Sequence, residues 1–545
     1  MSGPIDHVLI VGGGTAGWIT AAYLARRLGA NRPDGVKITL IESAEIGIIG
    51  VGEGTIPTIQ TTVRSIGIDE ARFMKGANAT FKQGIRFVDW AKPPEADRHT
   101  QYYHSFSFPR QLPGGHDLAP YWLMGCAGNV SFSDAVTLQD KVCEARRGPK
   151  LIEDPQFGGP FGYAYHFDAA KLAAFMREVG VELGVRHLLG NVEKVNLDED
   201  GSIASVTTKE HGELTAGLYI DCTGFASAMI GKALGTEWID RSDVLFVDRA
   251  LAMQVPYDRP DHPIASVTIS TAHEAGWTWD IGLPERRGTG YVYSSAHTPD
   301  ERAEEILRAY NGKASEGLNA RLLKLRLGYR DRHWVKNCVA VGLSGGFMEP
   351  LESTGIMLIE AAAWMLGRLF PRSGDLEATA KLFNEAMAAR YRGVVDFIKL
   401  HYCLSGRPEP FWRDNTDPKS IPDSLAALLE MWRHRPPDPF DFPTVHDSFE
   451  YFNYQFILYG MGFRSDVAAN PGAYPHAEEA RQEFTRIRQA QLRAVASLPD
   501  HRALIDQVYS TGFRSAVQPG PMAAPLEMRR TPQTRAVAGP VGVRR

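Results

Sequence analysis

HVLIVGGGTAGWITAAYLARRL, residues 7–28, decides the fold class. Its opening apolar run ends in glycine, a helix-like run AGWITAAYLARRL follows, and a second apolar run, VKITLIE, occupies 36–42. This succession reads as a βαβ unit. Gly12, Gly14 and Gly17 spell GxGxxG at the strand–helix junction, and Glu42 closes the second strand 25 residues beyond Gly17. The three glycines differ in what they allow. Gly12 permits the tight turn, Gly14 lets backbone approach a pyrophosphate, and Gly17 lets helix and strand pack closely. The helix start at Thr15 and Ala16 offers free N–H groups to phosphates, and the Glu42 carboxylate can accept from ribose hydroxyls.

Between FAD and NAD, the N-terminal position of the loop, the size of the chain and a late strand–loop–helix at 338–370 favour FAD, whose flavin end needs a second contact region. No second GxGxxG of comparable quality follows, so reduction of the flavin falls to something other than a built-in NAD(P)H site.

The 545 residues allow three or four units at roughly 150 residues each, or one interlocked body. With 59 Lys plus Arg against 64 Asp plus Glu, the net charge of −5 disfavours nucleic acid and anionic lipid as partners and leaves a small molecule as the default. Cys126, Cys143, Cys222, Cys338 and Cys403 are widely spaced, without a CxxC pair, and read as reduced thiols with neither a disulfide framework nor a thiolate metal site. No export signal or membrane span is read, so a cytoplasmic location is expected.

Further strands are expected at 202–209, 218–222 and 338–342, with helices near 169–184 and 301–312. From Thr354 onward apolar residues recur at helical spacing, and the proline-rich stretches 407–423 and 435–443 read as loops between helices. The expected organisation is an α/β FAD-binding, flavin monooxygenase-like body over 1–370, interleaved with substrate-site segments, and a mostly helical cap over 371–512. The Pro-, Gly-, Ala- and Arg-rich 513–545 is expected to be a disordered tail.

CVAVGLSGGFMEPLESTGIMLIEAA, from Cys338, is the most informative late stretch. Gly342, Ser344 and Gly346 match the GxSxG of serine hydrolases, but Phe347–Leu351 intervene before any helix and Pro350 interrupts, which argues against a nucleophile elbow. The helix is expected to start near Ser353 or Thr354 after a small capping residue. The N–H groups of Thr354 and Gly355 would then form a small anion site. Glu352, taken alone, reads as an exposed acid favourable to the helix dipole.

With these residues assembled, the chain resembles the flavin-dependent halogenases, the family that includes the tryptophan halogenases. GGGTAGW at 12–18, WTWDIG at 277–282 and EPLESTGI at 349–356 carry the resemblance, and ESAEIGIIGVGEGTIPTI at 42–59 and ATFKQGIRF at 79–87 extend it. The resemblance implies an enzyme that uses FAD, O2 and chloride or bromide on an electron-rich, indole-type aromatic. Reduced FAD would come from a separate flavin reductase without a stable complex, and a homodimer is left open.

Position by position, it implies that Lys82 presents or is modified by hypohalous acid, that Glu352 is the essential glutamate near it, and that Thr354 and Gly355 hold halide at the flavin. Gly342, Gly355 and Ile356 join the cofactor contacts, His104, Phe106 and Tyr454 line the substrate pocket, and Trp277 and Trp279 wall the flavin from the substrate. Taken alone, Lys82 reads as a solvated surface lysine and the tryptophan pair as core packing. No metal is expected. The chain has Gly282 where the family motif WxWxIP has proline, which reads as a loosened turn. Tyr454 is followed by Gln455 where free-tryptophan halogenases have two tyrosines, which points to free indole, another arene or a carrier-bound substrate. The rival readings are a flavin-dependent hydroxylase and a flavin-binding protein without halogenase activity.

Overall fold

Gly12 adopts φ +112°, and a Cβ there would lie 2.2 Å from the Cys222 carbonyl oxygen. The chain can therefore leave the strand His7–Val11 only through a residue without a side chain. A Cβ on Gly17 would lie 1.9 Å from the Gly12 oxygen, so the helix Thr15–Leu28 packs down on the strand it follows. A computed structural model describes residues 4–45, 47, 52–96, 98–371, 376–442, 444 and 446–514. The expected tail falls almost wholly outside the described residues, beginning at 515.

His7–Val11 lies inside a six-stranded sheet ordered Arg186–Leu189, Lys37–Glu42, His7–Val11, Leu218–Asp221, Cys338–Ala340 and Trp334–Val335. All neighbours run parallel except the final hairpin. Val8 and Ile10 pack on the face covered by the helix Thr15–Leu28, and Leu9 on the opposite face against Ile203 and Val206 of the strand Ile203–Thr208 and against Met229 and Ile230. The runs are therefore continuously apolar, and all three residues are wholly buried. The α/β class and the expected strands and helices of this part are present. Helices Ala169–Glu182 and Asp300–Asn311 also lie where periodicity put them.

A second sheet has seven strands: Arg321–Lys324, Arg249–Pro256, Arg286–Tyr293, Gly276–Gly282, Thr268–His273, Gly84–Val88 and Gln101–Ser105. Its strands pair antiparallel except for Thr268–His273 beside Gly84–Val88. The strand GWTWDIG is buried along its whole length. Gly282 lies within the ladder opposite Arg287, its carbonyl accepts from Thr80 Oγ1 at 2.6 Å, and a Cβ there would sit 2.7 Å from Ile264 Cγ2. The departure from proline is thus a tight strand position, not a loosened turn.

A small third sheet places Ala164–Phe167 between Glu53–Gly54 and Thr80–Lys82. From Thr354 the chain is largely helical, through Thr354–Leu369, Glu377–Cys403, Asp423–His434, Tyr451–Gly460 and Ala477–Ser497. The stretch read as a loop at 407–423 contains the helix Pro410–Thr416. Pro410 occupies its first turn, where the missing N–H has no intrahelical partner to lose. Among the described residues no helix is long and apolar enough to cross a membrane.

The fit of Trp279 depends on Gly290, where a Cβ would come within 2.0 Å of Trp279 Cη2. Gly290→Ala is expected to destabilise the protein by about 1–3 kcal/mol in chemical denaturation; an unchanged midpoint would contradict this packing.

Candidate functional site

At the N-terminal end of the helix Thr15–Leu28, Gly14 caps without a side-chain hydrogen bond, and a Cβ on Gly14 would meet nothing within 4 Å. Open space and unpaired N–H groups are what a dinucleotide phosphate requires. Glu42 ends the adjacent strand, with its Oε1 2.8 Å from His187 Nε2. Gly342, at φ +75°, packs against Ala16: a Cβ there would be 2.6 Å from the Ala16 methyl. The late loop therefore joins the first glycine loop, and the residues present fit FAD.

Ser353 fixes the far end of that late loop. It adopts the left-handed conformation, φ 56° and ψ 35°, at the N-cap of Thr354–Leu369, yet makes no side-chain cap. Its hydroxyl instead accepts from Lys82 Nζ at 2.7 Å. This corrects the simple capping expectation and leaves the first-turn N–H groups of Thr354 and Gly355 without a side-chain partner among the described residues. Among the described residues the Thr354 hydroxyl beside them is buried without a hydrogen-bond partner, Gly355 borders open space, and Ile356 is buried.

Lys82 is wholly buried, contrary to its reading in isolation. Its amine stands 5.2 Å over the Phe106 ring, and a Cβ on Gly54 would come within 3.1 Å of Nζ. Burial lowers its pKa to about 7, with the Glu352 charge pulling the other way.

Glu352 is also wholly buried, not the exposed acid its position alone suggests. It accepts from His104 Nδ1 at 2.9 Å and His401 Nε2 at 2.9 Å. His104 Nε2 meets Asn453 Oδ1 at 2.8 Å, and His401 Nδ1 meets the Phe397 carbonyl at 2.8 Å. Burial raises the carboxyl pKa, but the charge and hydrogen bonds of the two histidines outweigh it and bring it down to about 2.

Trp277 and Trp279 alternate on the strand Gly276–Gly282 and are both buried; the Trp277 indole N–H donates to Glu349 Oε2 at 2.9 Å, whereas that of Trp279 has no partner among the described residues. His104 and Phe106 lie beside the Lys82–Glu352 cluster. Of the helix Tyr451–Gly460, Asn453 reaches His104, while Tyr454 stacks on Phe442, 4.7 Å between centroids, and meets Trp432. Gln455 donates to Asp117 and the Pro437 carbonyl.

Sequence reasoning did not single out Ser353 as the lysine's partner, nor Gly54, Asn453 or His401. Ser353 stood inside the EPLESTGI motif and could have been found there; His401, in the last turn of a 27-residue helix, carries no local signal.

Ser344, of the GxSxG match, is buried and directs its hydroxyl to the carbonyls of Asp221 and Val341. A serine nucleophile needs a base on its hydroxyl, and among the described residues none contacts it.

The fold and these clusters define a flavoprotein oxidoreductase whose glycine loop and buried lysine–glutamate pair lie in one body. A family model described as tryptophan halogenase matches residues 7–473. The tryptophan 6-halogenase SttH of Streptomyces toxytricini is 37% identical over 91% of this chain and 96% of its own length. The tryptophan 7-halogenase RebH of Lentzea aerocolonigenes is 34% identical over 93% and 99%. Among solved structures, a tryptophan halogenase from Shewanella frigidimarina NCIMB 400 superposes with a TM-score of 0.89 at 40% identity, covering 94% of this chain and 98% of that one. The chain belongs to the tryptophan halogenase family and is a flavin-dependent halogenase that uses FAD.

Ser344→Ala is expected to cost about 1 kcal/mol of stability and to leave halogenation intact. Loss of activity in a folded, FAD-binding Ser344→Ala protein would reopen the hydrolase-type reading of the loop.

Proposed function

We propose that this halogenase places an electron-rich, indole-type arene beside Lys82 and delivers halogen to it there. The buried Lys82 amine, one residue removed through Ser353 from the doubly held Glu352 carboxylate, carries the reading. Reduced FAD, with O2 and chloride or bromide, supplies hypohalous acid. The N–H groups of Thr354 and Gly355 hold the halide, and Trp277 with Trp279 keep the arene from the flavin. Reduced FAD comes from a separate reductase; a cytoplasmic location and a homodimer belong to the same reading.

The hydrogen bond to Ser353, the Phe106 face and the field of the Glu352 anion all favour the ammonium form of Lys82. In that form its N–H donates to the oxygen of hypohalous acid and makes the halogen more electrophilic. The ring takes the halogen, the departing hydroxide takes a proton from the Lys82 ammonium and leaves as water, and the ring proton goes to Glu352, from which it returns to the amine. A carboxylate with pKa about 2 is a weak base, but a halogenated arenium ion is a far stronger acid than any carboxylic acid. The anion also stabilises the positive ring before the proton departs. Selectivity among ring positions depends on how His104 and Phe106 orient the arene. SttH and RebH, of similar identity to this chain, bear names for different ring positions, so overall similarity does not set that choice.

The cap favours an arene without an amino-acid end as substrate, because Tyr454 is committed to the Phe442 stack and Gln455 to Asp117 and Pro437. Incubation with reduced FAD, bromide and indole, followed by mass spectrometry, should give the bromine isotope pair; oxygen gain alone would favour the hydroxylase reading. Lys82→Ala should abolish bromination and retain FAD, whereas full bromination by this variant would refute the role of the lysine.

The working ammonium has a pKa of about 7, so single-turnover rates should be level below that pH and fall as pH rises through it. A rate that climbs across the same range would assign the work to the neutral amine.

A further inference from the structure

Glu349 is a second buried acid on the loop that carries Glu352, and the reaction as described leaves it unused. It is wholly buried, and one oxygen, Oε2, accepts both from the Trp277 indole at 2.9 Å and from the Tyr402 hydroxyl at 2.6 Å. Its other oxygen has no hydrogen-bond partner among the described residues. Tyr402 follows His401, so adjacent residues of the helix Glu377–Cys403 hold the two acids three residues apart on the loop: His401 binds Glu352 and Tyr402 binds Glu349. Trp90 packs in the same cluster, 6.2 Å from Trp277 and 5.3 Å from Tyr402 between ring centroids.

We propose that Glu349 is a positioning residue that latches the Trp277 wall and the Glu352 loop to one helix, so that displacement of any one of the three loosens the others. The Trp277 indole N–H is held at Glu349 beside the Tyr402 hydroxyl, and a loop holding a left-handed serine is kept in place at both of its acids, Glu349 through Tyr402 and Glu352 through His401. Burial pushes the Glu349 pKa up to about 7 against the opposing effects of Tyr402, Trp277 and Lys399. A neutral carboxyl still accepts two hydrogen bonds on its carbonyl oxygen, so the latch needs an acceptor and not a charge. This separates it from Glu352, whose proposed work needs the anion.

The latch rests on the proposed function only where product is measured, so the test has two readouts. Single turnovers of the FAD-loaded protein with bromide and indole give brominated indole per reduced flavin. Hydrogen exchange followed by mass spectrometry gives the opening of 276–282 and 346–353 without any turnover. Glu349→Ala should lower the product ratio at least threefold and speed exchange in both segments about tenfold, with FAD retained. Glu349→Gln, which keeps the acceptor, should stay within twofold of wild type in both. Should the alanine variant fail to fold, Trp277→Phe, lacking only the indole donor and part of the ring, should speed exchange in the 346–353 loop. The latch is overturned if Glu349→Ala exchanges like wild type, if Glu349→Gln is as impaired as alanine, or if Trp277→Phe leaves the loop unchanged. A wild-type protein that brominates no indole contradicts the proposed substrate, and the exchange result still decides the latch.

Discussion

Two opposite charges cannot be taken out of water without partners, and that constraint organises the centre of this protein. Lys82 and Glu352 are both fully buried, and each would be costly there alone. The amine is held by the Ser353 hydroxyl and the face of Phe106; the carboxylate is held by His104 and His401. The pair and its partners come from a three-residue strand, the late loop, the edge of the seven-stranded sheet and the longest described helix. The arrangement exists only when sheet, loop and helix are all in place, so the folding of the body and the assembly of the cluster are one event.

The same economy of partners explains the late loop. Ser353 occupies a capping position but gives its oxygen to Lys82, and the helix start behind it retains free N–H groups next to open space at Gly355. A serine that capped its own helix would leave the amine unpaired and fill the hydrogen-bonding capacity proposed for halide. Gly342 ties the loop back to Ala16 at the first glycine turn, which links the dinucleotide end of the body to the buried pair.

Most of the fold was legible because its signals are local. The glycines of 12–17 demand a turn whatever lies around them, the apolar runs at 7–11, 37–42, 218–221 and 338–340 match strands buried on both faces, and the helix at Thr354 began where the small residues placed it. The burial of Lys82 was not legible from its neighbours, because it depends on pairing of 80–82 with 164–166, more than eighty residues away. His401 and Asn453 were invisible for the same reason: a polar residue in an apolar helix has no distinctive spacing, and only tertiary contact shows that each faces a partner of Glu352 or the acid itself. The resemblance supplied Lys82 and Glu352, while the hydrogen bonds that make them a unit required the three-dimensional arrangement.

The central claim is that oxidant and arene meet away from the flavin, at the buried amine. A crystal structure of the FAD complex with bromide and indole tests it most directly. An anomalous bromide peak is expected at the N–H groups of Thr354 and Gly355, and indole beside Lys82 and His104 with the Trp277 and Trp279 side chains between it and the isoalloxazine. Indole stacked directly on the isoalloxazine, with Lys82 out of contact, would contradict it.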